Sequence, residues 1–193
     1  MNILDMLGSS ELGVLFIQLE NETYTRCPHA SLIELCPIYP EENIYELIVT
    51  SWRNPLMPLL RYRTGDLVEI KDKAAAAKTW REGEIFCIDH LHGRRSDSAI
   101  FSTKKKIVTT LKLDNAIALC EWQPEFYCLE KSNEFATLYY SRTCQEDNLS
   151  PAHLNFKALT KLLAPTKLVF QKSHMIQPAP SGKFVTLRSI SDD

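Results

Sequence analysis

Read for the spacing of its apolar positions, the chain changes texture once, near Gly93. Before that point, apolar residues come in short runs parted by turn formers. Residues 14–19 (VLFIQL) are mostly apolar and 31–35 (SLIEL) form a second run. In residues 45–51 (YELIVTS) Leu47 and Val49 share one face, the period-two signature of a strand. Pro55 and Pro58 interrupt the chain before residues 61–66 (RYRTGD), where Gly65 permits a turn that most residues resist. Residues 67–70 then resume as a strand, and the spacing predicts a small antiparallel sheet or barrel. The lysine-flanked alanines at 74–77 read as a short exposed helix or a loop.

After Gly93 the pattern lengthens. Residues 107–113 are strand-like, and Asp114 is placed to cap a helix over 115–121. Residues 126–130 and 135–141 read as two strands joined by a turn-prone link at 131–133. Ser150-Pro151 suits a helix start, with proline at the first helical position. Leu154, Ala158, Leu159, Leu162 and Leu163 then set an apolar stripe that Pro165 ends. Residues 167–171 form a last strand. The order strand, helix, strand, strand, helix, strand describes a compact α+β domain. The expected fold class is therefore α+β, a small antiparallel β-rich subdomain (distorted barrel) over 1–92 followed by a compact α+β domain over 93–193.

Composition narrows the function classes. The 193 residues are 45% hydrophobic and 24% charged, ordinary values for a soluble globular protein. A formal net charge of -2 argues against an electrostatic nucleic-acid binder. No apolar run approaches the ~20 residues of a membrane span, and no basic, then apolar, leader is present. No nucleic-acid or membrane partner is expected, and cytoplasm is the default location. The six cysteines lack CxxC spacing and read as thiols rather than a disulfide framework. Cys27 and His29, with Cys87 or His90, are the best nucleus for a metal, but no second close pair supports it, so zinc is not expected.

Four short motifs carry candidate chemistry. Gly8-Ser9-Ser10-Glu11 can place backbone N–H groups and serine oxygens on a phosphate while the carboxylate holds Mg²⁺. Its plain alternative is a strand-to-helix turn with a capping serine. Asp66, after Gly65 in a tight turn, can accept hydrogen bonds from the two hydroxyls of a ribose, or serve only the turn. Arg61 or Arg63 could reach a carboxylate or phosphate bidentately, or be a solvated charge. Gly93-Arg94-Arg95-Ser96-Asp97 lies at the expected domain boundary. Lys183, within Ser181-Gly182-Lys183, sits in a Pro- and Ser-rich tail of the kind that delivers a cation late in a closing motion. The five histidines form no nucleophile–base pattern, and there is no GxSxG or HExxH.

In this order the four motifs resemble the adenylate-forming superfamily, which includes acyl-CoA synthetases, adenylation domains of peptide synthetases and luciferases. Residues 46–70 (ELIVTSWRNPLMPLLRYRTGDLVEI) are most similar to its phenylacetate-CoA ligase and coenzyme F390 synthetase-like branch. The resemblance covers essentially the whole chain and corresponds to the C-terminal portion of such an enzyme. It implies ATP-dependent activation of a carboxylic acid with release of pyrophosphate, then transfer to the thiol of CoA or a carrier protein, or to another acceptor. It implies that Gly8, Ser9, Ser10 and Glu11 contact phosphate and, through Glu11, Mg²⁺. Asp66 would hold the ribose, and Arg94 would approach the nucleotide. Ser96 and Asp97 would form the hinge, and Lys183 would be the catalytic cation.

Departures from that pattern shape the expectation. The phosphate-cradling loop and most of the acyl pocket would precede residue 1. The chain is therefore expected to be inactive or nearly so by itself, either a truncated gene product or half of a split enzyme completed by an N-terminal half on another polypeptide or by self-association through an exposed barrel face. Leu7 stands where the family has an aromatic residue. Ser96 occupies the usual acidic hinge position. No glycine occurs in residues 102–106, which weakens the case for thioester formation relative to adenylation. The alternatives are a non-catalytic binding or regulatory module on the same fold, and a small-molecule transferase on an unrelated one.

Overall fold

The computed structural model describes residues 5–19, 23–27, 31–81, 84, 87–101, 106–120, 124–132, 135–141, 156–173, 175–176, 178 and 184–189. The chain divides into two compact units, Met1–Arg95 and Ser96–Asp193.

The first unit holds two four-stranded antiparallel sheets. One is made of β1 (Met6–Ser9), β2 (Gly13–Gln18), β3 (Tyr24–Arg26) and β7 (Cys87–Ile88), in that spatial order. The other runs β4 (Ser31–Tyr39), β5 (Ile44–Ser51), β6 (Leu59–Glu69), β8 (His90–Arg94). Among the described residues the sheets stay separate, so the barrel expected from the strand spacing is not closed. They nevertheless share one core, in which Phe16, Tyr24 and Ile88 of the first sheet join Ile33, Leu47 and Val68 of the second. Trp80 pairs with Ile33 through both backbone hydrogen bonds, at 2.8 and 2.9 Å, and covers part of that core. The alanine run forms α1 (Lys73–Ala76), whose cap is the Asp72 carboxylate accepting from the N–H groups of Ala74 and Ala75.

β5 is buried along its whole length, not on one face alone. It is hydrogen-bonded on both edges, by β4 and β6, and covered on both faces. The alternation of Leu47 and Val49 therefore marks the core side, while Glu46 is buried on the other (3% exposed). A carboxylate there requires partners.

The second unit places α2 (Thr110–Ala118) and α3 (Lys157–Leu163) against a mixed sheet ordered β13 (Lys167–Lys172), β12 (Phe135–Ser141), β11 (Phe126–Lys131), β14 (Leu187–Ser189). β11 and β12 are the expected antiparallel pair, and β13 and β14 add parallel to their outer edges. Leu113, Ile117, Leu129, Leu138, Leu159 and Leu163 form its core. β9 (Ala99–Phe101) and β10 (Lys106–Val108) make a separate antiparallel pair.

Two sequence expectations change here. Residues 107–113 are not one strand: β10 ends at Val108, the Thr109 hydroxyl accepts from the Lys112 N–H, and the helix begins at Thr110. Asp114 thus lies inside α2, where its carboxylate accepts a hydrogen bond from the Tyr127 hydroxyl instead of capping the helix. The start expected at Ser150-Pro151 lies outside the described residues. The described helix runs Lys157–Leu163 and buries Leu159 and Leu163.

Candidate nucleotide site

The Gly8–Glu11 segment is a strand-to-strand turn, not a strand-to-helix turn. Pairing of Ser9 with Gly13 leaves Ser10, Glu11 and Leu12 as the link between β1 and β2. Gly13 takes a left-handed backbone (φ +69°), which favours glycine. Gly8 is needed for space, because a Cβ there would lie 2.6 Å from the Gly13 carbonyl oxygen. Leu12 is buried and anchors the turn from below. The Ser9 hydroxyl accepts from the Leu12 N–H at 3.2 Å and donates to the Glu11 carboxylate. That hydrogen bond, the Glu11 backbone N–H and the charge of Arg94 hold the Glu11 carboxyl below its ordinary range. Ser9 is therefore committed to shaping the turn, while Ser10 and Glu11 face outward with the acid ionised.

Asp66 does not follow a turn between two strands. Thr64, Gly65 and Asp66 form a bulge inside the continuous strand β6, opposite Leu47 alone. Gly65 adopts φ +78° with nothing within 4 Å of a Cβ built on it, so glycine serves the backbone angle there, not the space. The Thr64 hydroxyl locks the bulge, donating to the Leu47 carbonyl at 3.3 Å and accepting from the Asp66 N–H at 3.0 Å. The Asp66 side chain, 19% exposed, lies opposite Arg94 of β8, whose Nε is 3.7 Å from Oδ1. Burial raises the Asp66 carboxyl, while the Thr64 hydrogen bond and Arg94 oppose that rise.

The neighbouring arginines are occupied. Arg61 pairs with Glu34 at 3.2 Å on the surface. Arg63 is hydrogen-bonded to the buried Glu46, and Arg95 reaches the same Glu46 oxygen at 3.2 Å. Sequence reading missed Glu46; its only sign was an acid inside an otherwise apolar strand. Next to Arg95, the short 3-10 turn Arg95–Asp97 carries the expected hinge residues. There the Ser96 hydroxyl donates to Asp97 Oδ1 at 2.8 Å. The Asp97 carbonyl accepts from the Thr110 hydroxyl at 3.1 Å.

Within the first unit Arg94 is paired with Asp66, and its charge also acts on Glu11. At Glu11 opens a cleft of about 530 Å³, lined also by Ser10, Gly13, Arg53, Asn54, Pro55 and Met57. Leu7 packs on the core instead of facing the cleft. Lys183, with Ser181 and Gly182, lies outside the described residues. Among the described residues no three His, Cys, Asp or Glu side chains gather as a metal centre; His29 is outside them. A single ionised, outward-facing carboxylate such as Glu11 does suit Mg²⁺ brought by a phosphate ligand, because that ion keeps most of its shell from phosphate and water. No described helix is long and apolar enough to cross a membrane.

No protein-family model matches the chain. Protein CapK of Staphylococcus aureus is 30% identical over 144 residues, which are 73% of this chain and 31% of CapK. The crystal structure of 2-hydroxyisobutyryl-CoA ligase in the postadenylation state, in complex with 2-HIB-AMP, matches 98% of this chain and 42% of its own, with TM-score 0.62 and 12% identity. ATP-bound MatB from Rhodopseudomonas palustris matches 95% of this chain and 39% of its own, with TM-score 0.52 and 15% identity. This chain has the fold of part of a CoA ligase. It spans 31% of CapK and 42% of the hydroxyisobutyryl-CoA ligase, so most of each relative has no counterpart in these 193 residues.

Proposed function

We propose that this chain is the C-terminal portion of an ATP-dependent, AMP-forming ligase that activates a carboxylic acid, of the phenylacetate-CoA ligase-like branch. One observation carries the reading. Three motif residues far apart in sequence are linked through Arg94, which pairs with Asp66 of the β6 bulge across the β6–β8 register and whose charge acts on Glu11 of the β1–β2 turn. In this reading Asp66 accepts from the ribose hydroxyls, and the Thr64 hydrogen bond and Arg94 favour its charged form against the effect of burial. Ser10 and the turn N–H groups meet phosphate oxygens. When bound at Glu11, Mg²⁺ would neutralise phosphate charge. The acid's carboxylate oxygen attacks the α-phosphorus of ATP, the bond to the bridging oxygen breaks, and pyrophosphate leaves. Lys183 bridges the carboxylate and the phosphate while negative charge develops.

Activity then needs the phosphate-binding loop and acyl pocket from the rest of the fold, on the same or another polypeptide. The apolar surface between β5 and β6 supports this. Trp52, Leu56, Met57, Leu60 and Tyr62 are 45, 95, 55, 76 and 39% exposed within eleven residues of sequence, an unusual concentration for a surface that nothing covers. The test is nucleotide binding: Asp66→Asn should weaken AMP about tenfold while 2′,3′-dideoxy-AMP binds both forms alike. Equal AMP affinity in the two proteins would remove Asp66 from the ribose.

A further inference from the structure

We propose that Arg53, which lies outside all four motifs, is an oxyanion-binding residue of the cleft beside Glu11. The inference rests on the nucleotide reading for Glu11 but adds a second, opposite pole to the site. Arg53 follows β5, and its loop is fixed locally. Its N–H donates to the Ser51 hydroxyl at 3.4 Å, and the Asn54 side-chain oxygen accepts from the Leu56 N–H at 3.1 Å. The guanidinium lies over the β1–β2 turn: a Cβ built on Gly13 would stand 2.1 Å from Arg53 Nη1. Gly13 is a glycine for its left-handed backbone, and the exposed Arg53 head rests in the space its missing side chain leaves.

The state of this arginine sets it apart from its neighbours. Arg61 is paired with Glu34, Arg63 and Arg95 with Glu46, and Arg94 with Asp66. Among the described residues the Arg53 side chain makes no ion pair or hydrogen bond, although Glu11 lines the same cleft. Two opposite charges on one cleft that do not pair with each other suit a ligand bearing both signs. A phosphate group carrying a divalent cation is such a ligand, with the cation at Glu11 and two oxygens on the planar guanidinium fork. The shared chemistry is an oxyanion, and in the proposed reaction it has two sources, the phosphate chain of the nucleotide and the carboxylate of the acid.

The experiment is a heteronuclear NMR titration of the ¹⁵N-labelled 193-residue chain. Magnesium pyrophosphate, sodium benzoate and AMP are added separately to wild type, Arg53→Ala, Arg53→Lys and Asp66→Asn. Arg53 is exposed, so both of its variants should keep the wild-type amide spectrum. Pyrophosphate is expected to shift the Arg53 Nε–H signal and the Glu11 and Gly13 amides. Its affinity should fall about tenfold in Arg53→Ala and less in Arg53→Lys, which keeps the charge but loses the fork. The same response to benzoate in place of pyrophosphate would keep the oxyanion role and assign it to the acid. No shift at Arg53 with either anion, or equal affinities in wild type and Arg53→Ala, would overturn the proposal. The Asp66→Asn protein separates the two ideas: loss of the AMP response with the pyrophosphate response intact leaves Arg53 standing independently of the ribose contact.

Discussion

Glu46 offers the sharpest energetic test of how the first unit is held. Its carboxylate is 4% exposed and takes hydrogen bonds from Arg63 and Arg95, each about half exposed. Hydrogen bonds to charged groups contribute roughly 1.5–3 kcal/mol each, and removing one member of a fully buried pair costs about 3–5 kcal/mol. Here the arginines can rehydrate, so Glu46→Gln should cost about 2 kcal/mol. With a urea slope of about 2 kcal/mol/M the midpoint falls by about 1 M. Glu34→Gln is the control: it breaks the exposed pair with Arg61 and should cost under about 0.5 kcal/mol. The pH dependence follows from the lowered Glu46 carboxyl, which owes most to the Arg63 hydrogen bond. A depressed carboxyl stabilises fully above its unfolded value of 4.5, and that contribution disappears as pH falls through the folded value. The gap between wild type and Glu46→Gln should therefore be widest near pH 6 and narrow toward pH 3. Equal midpoints for the Glu46 and Glu34 variants, or a gap that does not depend on pH, would refute the reasoning.

Two further outcomes are expected. Gly65→Ala introduces a side chain at φ +78° in open space, so its cost should be the backbone strain alone, about 1–2 kcal/mol by urea unfolding, with AMP affinity reduced because the bulge sets Asp66. Tyr24 is pushed up to about 12 by burial and by its hydrogen bond to Asp5, so it should ionise late in an ultraviolet pH titration. Raising a tyrosine favours its neutral form. The linked stability is present below pH 10 and lost as pH rises toward 12, and Tyr24→Phe should remove that alkaline component.

In the first unit β2, β4, β5 and the end of β6 were legible because their apolar runs are short and bounded by proline, glycine and charge, whereas β1, β3, β7 and β8 carry no such run. Local pattern carried less about how strands continue. RYRTGD reads as a turn because Gly65 prefers one, yet pairing with β5 on one side and β8 on the other keeps Thr64–Asp66 within a single strand as a bulge. Residues 107–113 read as a strand from their β-branched content. The Thr109 cap and the Leu113, Ala116, Ile117 and Cys120 spacing, all buried in the core of the second unit, override that preference. Of the candidate site, the motif residues Glu11, Asp66 and Arg94 could be named from sequence, but the pairing of Asp66 with Arg94 depends on register between β6 and β8. Glu46 and Arg53 lay outside every motif. Burial marks Glu46 and a place on the cleft marks Arg53, neither of which a linear pattern records.

The central claim is that this chain supplies one wall of an acid-activating nucleotide site and the lysine that works on it. ATP–pyrophosphate exchange, measured with a panel of aryl and fatty acids on the chain alone and with candidate polypeptides that complete the fold, tests it most directly. Exchange is expected with one class of acid in the completed enzyme, and Lys183→Ala should abolish it while Asp66-dependent AMP binding persists. Absence of exchange in every combination, or exchange unchanged in Lys183→Ala, would contradict the claim and leave a nucleotide-cleft module without the chemistry.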